Sequence, residues 1–79
     1  MVKADIRIEL KHGVADPEGE NTQKALELLG FTDIKRVKTV KLFEVELDMP
    51  PEQARSAAEE MCHKLLANPV IQTFRIDLK

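Results

Sequence analysis

The first eleven residues decide most of what this chain can fold into. Val2, Ala4, Ile6, Ile8 and Leu10 alternate with Lys3, Asp5, Arg7, Glu9 and Lys11. A period of two over that length is a strand with one buried and one wet face, which requires neighbours on its edges and a layer over its apolar side. The run closes at Gly13. Asp16-Pro17-Glu18-Gly19 follows, where Asp ahead of Pro either caps a helix whose first residue lacks an amide hydrogen or opens a type I turn ending on Gly. In both cases a helix comes next: Ala25, Leu26, Leu28 and Leu29 fill one arc, Glu20, Lys24 and Glu27 point away, and Gly30 is a left-handed stop.

Ile34 to Met49 contains no Gly, Pro or Asn. Phe43, Val45 and Leu47 mark a strand whose wet face carries Glu44, Glu46 and Asp48, but between Val37 and Phe43 the apolar parity slips by one. That slip predicts either a hairpin turn near Thr39 to Lys41 joining two antiparallel strands, or a bulge in one long bent strand reaching toward a partner chain. Pro50-Pro51 opens a second helix with an apolar stripe of Ala54, Ala57, Ala58, Met61 and Leu65. Glu60 and Lys64 stand in the favourable order for an i, i+4 pair. Asn68-Pro69 ends that helix, and Val70, Gln72, Phe74, Ile76 and Leu78 alternate into a last strand. The expected architecture is α+β: a two-layer βαββαβ, ferredoxin-like domain spanning 1–79, with two helices on one face of an antiparallel sheet.

A chain of 79 residues leaves room for only a thin core. Burying roughly 8,000 Å² on folding, a little over half of it apolar, stabilises by about 120 kcal/mol, and ordering the chain costs about the same. One cysteine, Cys62, excludes an internal disulfide, and no His/Cys/Asp cluster offers a structural metal. Oligomerisation is the remaining source of stability, so a homodimer or higher oligomer is expected.

Twelve Lys and Arg face fourteen Asp and Glu with the signs interspersed, and Phe31, Phe43 and Phe74 are the only aromatics. Nucleic-acid binding runs on clustered cations and exposed stacking platforms, so no nucleic-acid partner is expected. No stretch approaches the ~20 apolar residues of a membrane span, and the amino terminus reads directly into a strand with no targeting run. A cytoplasmic protein with no membrane partner is expected.

Nucleophilic catalysis needs an activated Ser, Cys, Thr or Lys held by a base. Ser56 lies on the wet side of the second helix. Cys62 reads as a half-buried small hydrophobe on the flank of its stripe, and His63 as an exposed partner of Glu59. His12 reads as a strand-end histidine without a carboxylate fixed beside it. Glu44, Glu46 and Asp48 read as a wet face suited to a basic partner surface. Neither the Walker pattern nor the Gly-rich dinucleotide turn is present. No catalytic, cofactor or metal residue is expected in this chain. The loop ahead of the first helix, with Lys11, Asp16, Pro17 and Gly19, and Lys41 on the irregular strand, are the candidate partner contacts; charge reversal at Asp16 or Lys41 is expected to weaken binding with the fold intact. Gly19 marks a place where backbone turns or another chain comes close.

Leu10-Lys11 followed by Val14, Asp16-Pro17, Gly19, Ala25-Leu26 and Gly30, together with Met61-Cys62-His63-Lys64-Leu65-Leu66-Ala67-Asn68-Pro69-Val70-Ile71, resembles the PurS family over nearly the entire chain. Where that family often shows Gly-Lys after the second strand, this sequence has Val40-Lys41. The resemblance implies membership in phosphoribosylformylglycinamidine synthase, an ATP-dependent amidotransferase of purine biosynthesis that uses ATP, Mg and glutamine at the level of the complex. In it a glutaminase subunit, PurQ, releases ammonia and a synthetase subunit, PurL, consumes it. A PurS dimer is implied to bridge the two. Two other readings stay open: a dimeric small-molecule sensor with its ligand at the interface near the first turn, and a stand-alone enzyme using His12 with the loop carboxylates.

Overall fold

In the computed structural model, which describes all 79 residues, the alternating amino-terminal run forms β1, Val2–Leu10, as the middle strand of an antiparallel sheet. β2, Val40–Leu47, lies on one edge and β3, Gln72–Leu78, on the other. Ala4 is opposite Val45 and Leu78, Ile6 opposite Phe43 and Ile76, and Ile8 opposite Lys41 and Phe74. α1 is Pro17–Leu28 and α2 is Pro51–Met61. α2 packs on β1 and β3, where Ala54 and Ala58 are fully buried against Ala4, Ile6 and Ile8. Two alanines on that face let the helix lie close to the sheet, which is how a thin core is filled without large side chains.

The opposite face of the sheet is polar, with Asp5 between Glu44 and Asp77 and Arg7 between Leu42 and Arg75. Like charges directly across a ladder are destabilising. Lys3 offsets this at 3.4 Å from Glu44, and Lys79 at 2.6 Å from the buried Asp5 Oδ2. The bond to Asp5 pushes the Lys79 ammonium up from its ordinary range.

The α+β class and antiparallel sheet agree with the sequence expectation, but the sheet has three strands. Phe31–Thr39 carries no regular secondary structure, and β2 begins at Val40, inside the expected turn, then pairs without a bulge from Val40 opposite Glu9 to Leu47 opposite Val2. The parity slip has a simpler cause: Val40 lies on the polar face, while Phe43, Val45 and Leu47 share the apolar face with Ile6, Ala4 and Val2. β1 is paired on both edges, and no further strand adds to the outer edge of β2 or β3.

The second helix departs from its expected stripe for a geometric reason. Over Cys62–Leu66 it widens into one π turn, closed by the Ala67 amide donating to the Cys62 carbonyl at 3.0 Å. A wider turn retards the phase of every later residue. Cys62, still in α geometry four residues after Ala58, is wholly buried rather than on the flank; past it Ala67 joins the core and Leu65 is 83% exposed. The last strand starts at Gln72 because Asn68 folds the next residues into a turn, its Oδ1 accepting from the Val70 amide at 3.0 Å and its carbonyl from Gln72 at 2.8 Å.

α1 is the larger departure, because its apolar arc is not buried. Gly19 is the only buried residue in it, and Leu28 and Leu29 are 89% and 75% exposed. A nine-residue strand spans about 30 Å and a twelve-residue helix about 18 Å. Their sum matches the 48 Å long axis of a molecule only 25 by 15 Å across, so α1 and its return segment form an arm that prolongs the sheet.

The π turn makes a checkable claim about which side chains carry stability. Leu65→Ala is expected to change the urea unfolding free energy by less than about 0.5 kcal/mol, and Ala58→Leu to destabilise by about 1 to 3 kcal/mol. The reverse order would mean that the helix continues with ordinary periodicity and buries Leu65.

Candidate partner interface

The arm leaves β1 and returns to β2 through one point, and the Asp16 carboxylate holds both passages. It caps α1, with Pro17 in the first helical position, by accepting from the Gly19 amide on Oδ1 at 3.0 Å. Its other oxygen accepts from the Thr39 amide at 2.7 Å, 23 residues further on and immediately before β2. Of the two sequence readings of Asp16, the helix cap is the one adopted. The two amide bonds, Thr39 first, hold the Asp16 carboxyl below the ordinary aspartate range. Asp16 is therefore a clasp, and reversing its charge would disturb the arm itself, contrary to the expectation that the fold would be unaffected.

Gly19 is required by the same clasp. A Cβ there would lie 2.6 Å from Asp16 Oδ2 and 2.6 Å from the Val37 carbonyl. The chain that comes close to Gly19 is thus the arm's own return segment. Further out, Gln23 donates to the Ile34 carbonyl at 3.4 Å. At the tip Gly30, with φ of +102°, donates to the Glu27 carbonyl, and Phe31 to that of Leu26, a Schellman closure that reverses the chain. Phe31 is 59% exposed beside Leu28 and Leu29, so the outer arm presents an apolar surface.

Asp16, Pro17 and Lys41 line one shallow cleft of about 210 Å³ with Glu9, Glu18 and Thr39. Gly19 touches it through its bond to Asp16. Lys11 lines a separate cleft beside the π turn. Glu9 is held by Lys38 at 2.7 Å and lies 3.8 Å from Arg7; the Lys38 bond, above all, keeps its carboxyl low. Thr39, Lys38 and Glu9 escape sequence reasoning, since only the tight fit at Gly19 hints that a distant segment returns there. His12 is exposed at the end of β1. His63 does not pair with Glu59 as expected: the π turn brings its ring edge-on to Phe74, centroids 5.4 Å apart. No three His, Cys, Asp or Glu side chains are gathered where they could hold a metal ion, and no helix is long and apolar enough to cross a membrane.

Comparison with known proteins covers the whole of this architecture. The family model for PurS, phosphoribosylformylglycinamidine (FGAM) synthase, matches residues 3–79. The phosphoribosylformylglycinamidine synthase subunit PurS of Archaeoglobus fulgidus is 58% identical over 74 residues, 92% of each chain. The crystal structure of Methanocaldococcus jannaschii PurS, one of the subunits of formylglycinamide ribonucleotide amidotransferase, superposes with a TM-score of 0.92 at 44% identity, covering 100% of this chain and 96% of that one. A chain in the structure of PurLQS from Thermotoga maritima superposes at 0.78 with 26% identity, covering 99% of this chain and 96% of that one.

The clasp has a pH signature with a definite sign. A carboxyl held low by bonds made in the folded arm contributes stability above its ordinary pKa and loses it as pH falls through the lower folded value. The Gly19 and Thr39 amide resonances are expected to titrate together with a midpoint below about 3.9, and Asp16→Asn to abolish that titration. Independent midpoints, or a shared one above the ordinary aspartate value, would separate the two contacts.

Proposed function

The chain belongs to the PurS family, and on that premise we propose that it is a non-catalytic subunit of phosphoribosylformylglycinamidine synthase that bridges the synthetase and glutaminase subunits and supports ammonia transfer between them. The observation that carries the reading is end-to-end similarity, at high TM-score, to PurS chains that include one in a PurLQS structure. ATP, Mg and glutamine are then handled by the other subunits. A cytoplasmic setting fits the reading, since Cys62 is an unpaired thiol of the kind kept in reducing compartments.

A second copy of the chain is the first partner that the surface supports. Surface scaling gives about 4,900 Å² for a compact monomer of this mass. The chain exposes 5,997 Å². Two copies together thus carry about 2,200 Å² beyond what compact monomers would, which is the size of a stable dimer interface. Leu28, Leu29 and Phe31 supply its apolar content, and the amides from Thr32 to Lys38 donate to no backbone carbonyl in this chain. Those amides leave the return segment open to a ladder with another chain. Lys41, exposed at the edge of β2 in the clasp cleft, is the charge we assign to contact with the other subunits, with Pro17 beside it.

Size exclusion with light scattering tests both levels. Alone, the chain is expected to elute as a dimer or higher oligomer, and Leu28→Glu with Phe31→Ser to shift it toward monomer. With the synthetase and glutaminase subunits, glutamine and an ATP analogue, it is expected to co-elute, and Lys41→Glu to weaken that association while the far-ultraviolet dichroism is unchanged. A monomer that never joins the two subunits would refute the assignment.

A further inference from the structure

The second cleft, about 280 Å³, lies where the π turn of α2 meets the start of β3. Its apolar lining includes Cys62 and Phe74, and its polar lining is Lys11, His63, Gln72 and Thr73, with no carboxylate among the lining residues. Lys11, Gln72 and His63 each keep a donor free. The Lys11 amide is tied to the Ile71 carbonyl at 2.8 Å, which fixes the residue beside β3, and its ammonium makes no ion pair. Gln72 Oε1 accepts from the Asn68 amide at 2.7 Å, which leaves the NH₂ of the side chain without a partner. The His63 ring is set edge-on against Phe74 with an interplanar angle of 89°, so its polar edge is oriented by an aromatic contact. Burial and the nearby Glu59 push the Cys62 thiol up, so the floor carries no charge at neutral pH.

From this excess of free donors over an apolar floor, we propose that the cleft binds a small organic carboxylate, its head on Lys11 and the Gln72 amide and its short apolar body against Phe74 and Cys62. At about 280 Å³ the cleft falls just below the range of about 300 to 1,000 Å³ typical of ligand sites, so the ligand has only a few carbon atoms. Inorganic phosphate suits the site less well, because a dianion would meet one formal cation and an uncharged floor. The proposal is independent of assembly with the other subunits. The sequence conceals the site, since His63 and Phe74 meet only where the π turn of α2 lies against β3.

Titration of the isotopically labelled full chain with butyrate, butyramide and inorganic phosphate, followed by amide and imidazole resonances, tests it. Butyrate is expected to give saturable shifts at Lys11, His63, Gln72 and Thr73, with a dissociation constant on the order of 1 mM for so small a ligand. Butyramide, equal in shape but uncharged, is expected to bind at least about tenfold more weakly, and Lys11→Met to lose a similar factor. Gln72→Glu, which places a carboxylate in the cleft, is expected to abolish the shifts while the remaining resonances stay dispersed. Equal binding of butyrate and butyramide, preferential saturation by phosphate, or no saturation at concentrations about tenfold above the expected constant would each overturn the proposal.

Discussion

The pairing of β1 on both of its edges is the constraint on which everything else rests. β1 supplies Val2, Ala4, Ile6 and Ile8 to a core of ten buried side chains, and the ladders to β2 and β3 lock those residues onto the face that α2 covers. One helix over three strands cannot enclose more. The apolar side chains of α1 lie outside that core. The exposed arm is therefore a consequence of the small sheet, and dependence on a partner is the consequence of the arm.

The arm would be a floppy appendage if its two passages were joined only by backbone. Asp16 prevents that, because one carboxylate bonds the amide that starts α1 and the amide that precedes β2. An ionised acceptor makes stronger bonds to amides than a neutral one, and at a helix amino terminus it also meets the positive end of the helix dipole. Gly19 lets the passages approach to a distance that any Cβ would forbid. The same pair of residues thus sets both the direction of the arm and the shape of the cleft that Lys41 borders.

How much of this was legible in the sequence depends on whether the signal was local. β1 was legible because a period of two over ten residues has no rival interpretation, and the arm's ends were legible because Asp16-Pro17 and Gly30 are cap chemistry written within a few residues. The π turn was not, since periodicity arguments assume 3.6 residues per turn and one added residue passes as ordinary sequence. That hid the exposure of Leu65 and the place of Ala67 in the core. The missing strand was illegible for a different reason. Ile34, Val37 and Thr39 have the composition of a strand, but a strand exists only where it pairs, and the segment from Thr32 to Lys38 forms no ladder within this chain. Of the candidate contacts, Asp16, Pro17, Gly19 and Lys41 proved to be neighbours, whereas Lys11 belongs to a cleft assembled from residues fifty to sixty positions away that no local motif announces.

The unpaired stretch from Thr32 to Lys38 ties these observations together. Its residues are compatible with a strand, its amides lack backbone partners, and it runs into β2 without a break at Val40. It is also held along α1 by Gln23 and at its end by Asp16, so it is presented in a fixed direction. A prearranged segment with unsatisfied backbone loses less entropy on pairing than a disordered one. The clasp therefore prepares the arm for association, and it does so with a charge already bonded to two backbone amides. Among the charges of that cleft, Asp16 sets orientation, and Lys41 is the one we propose for recognition.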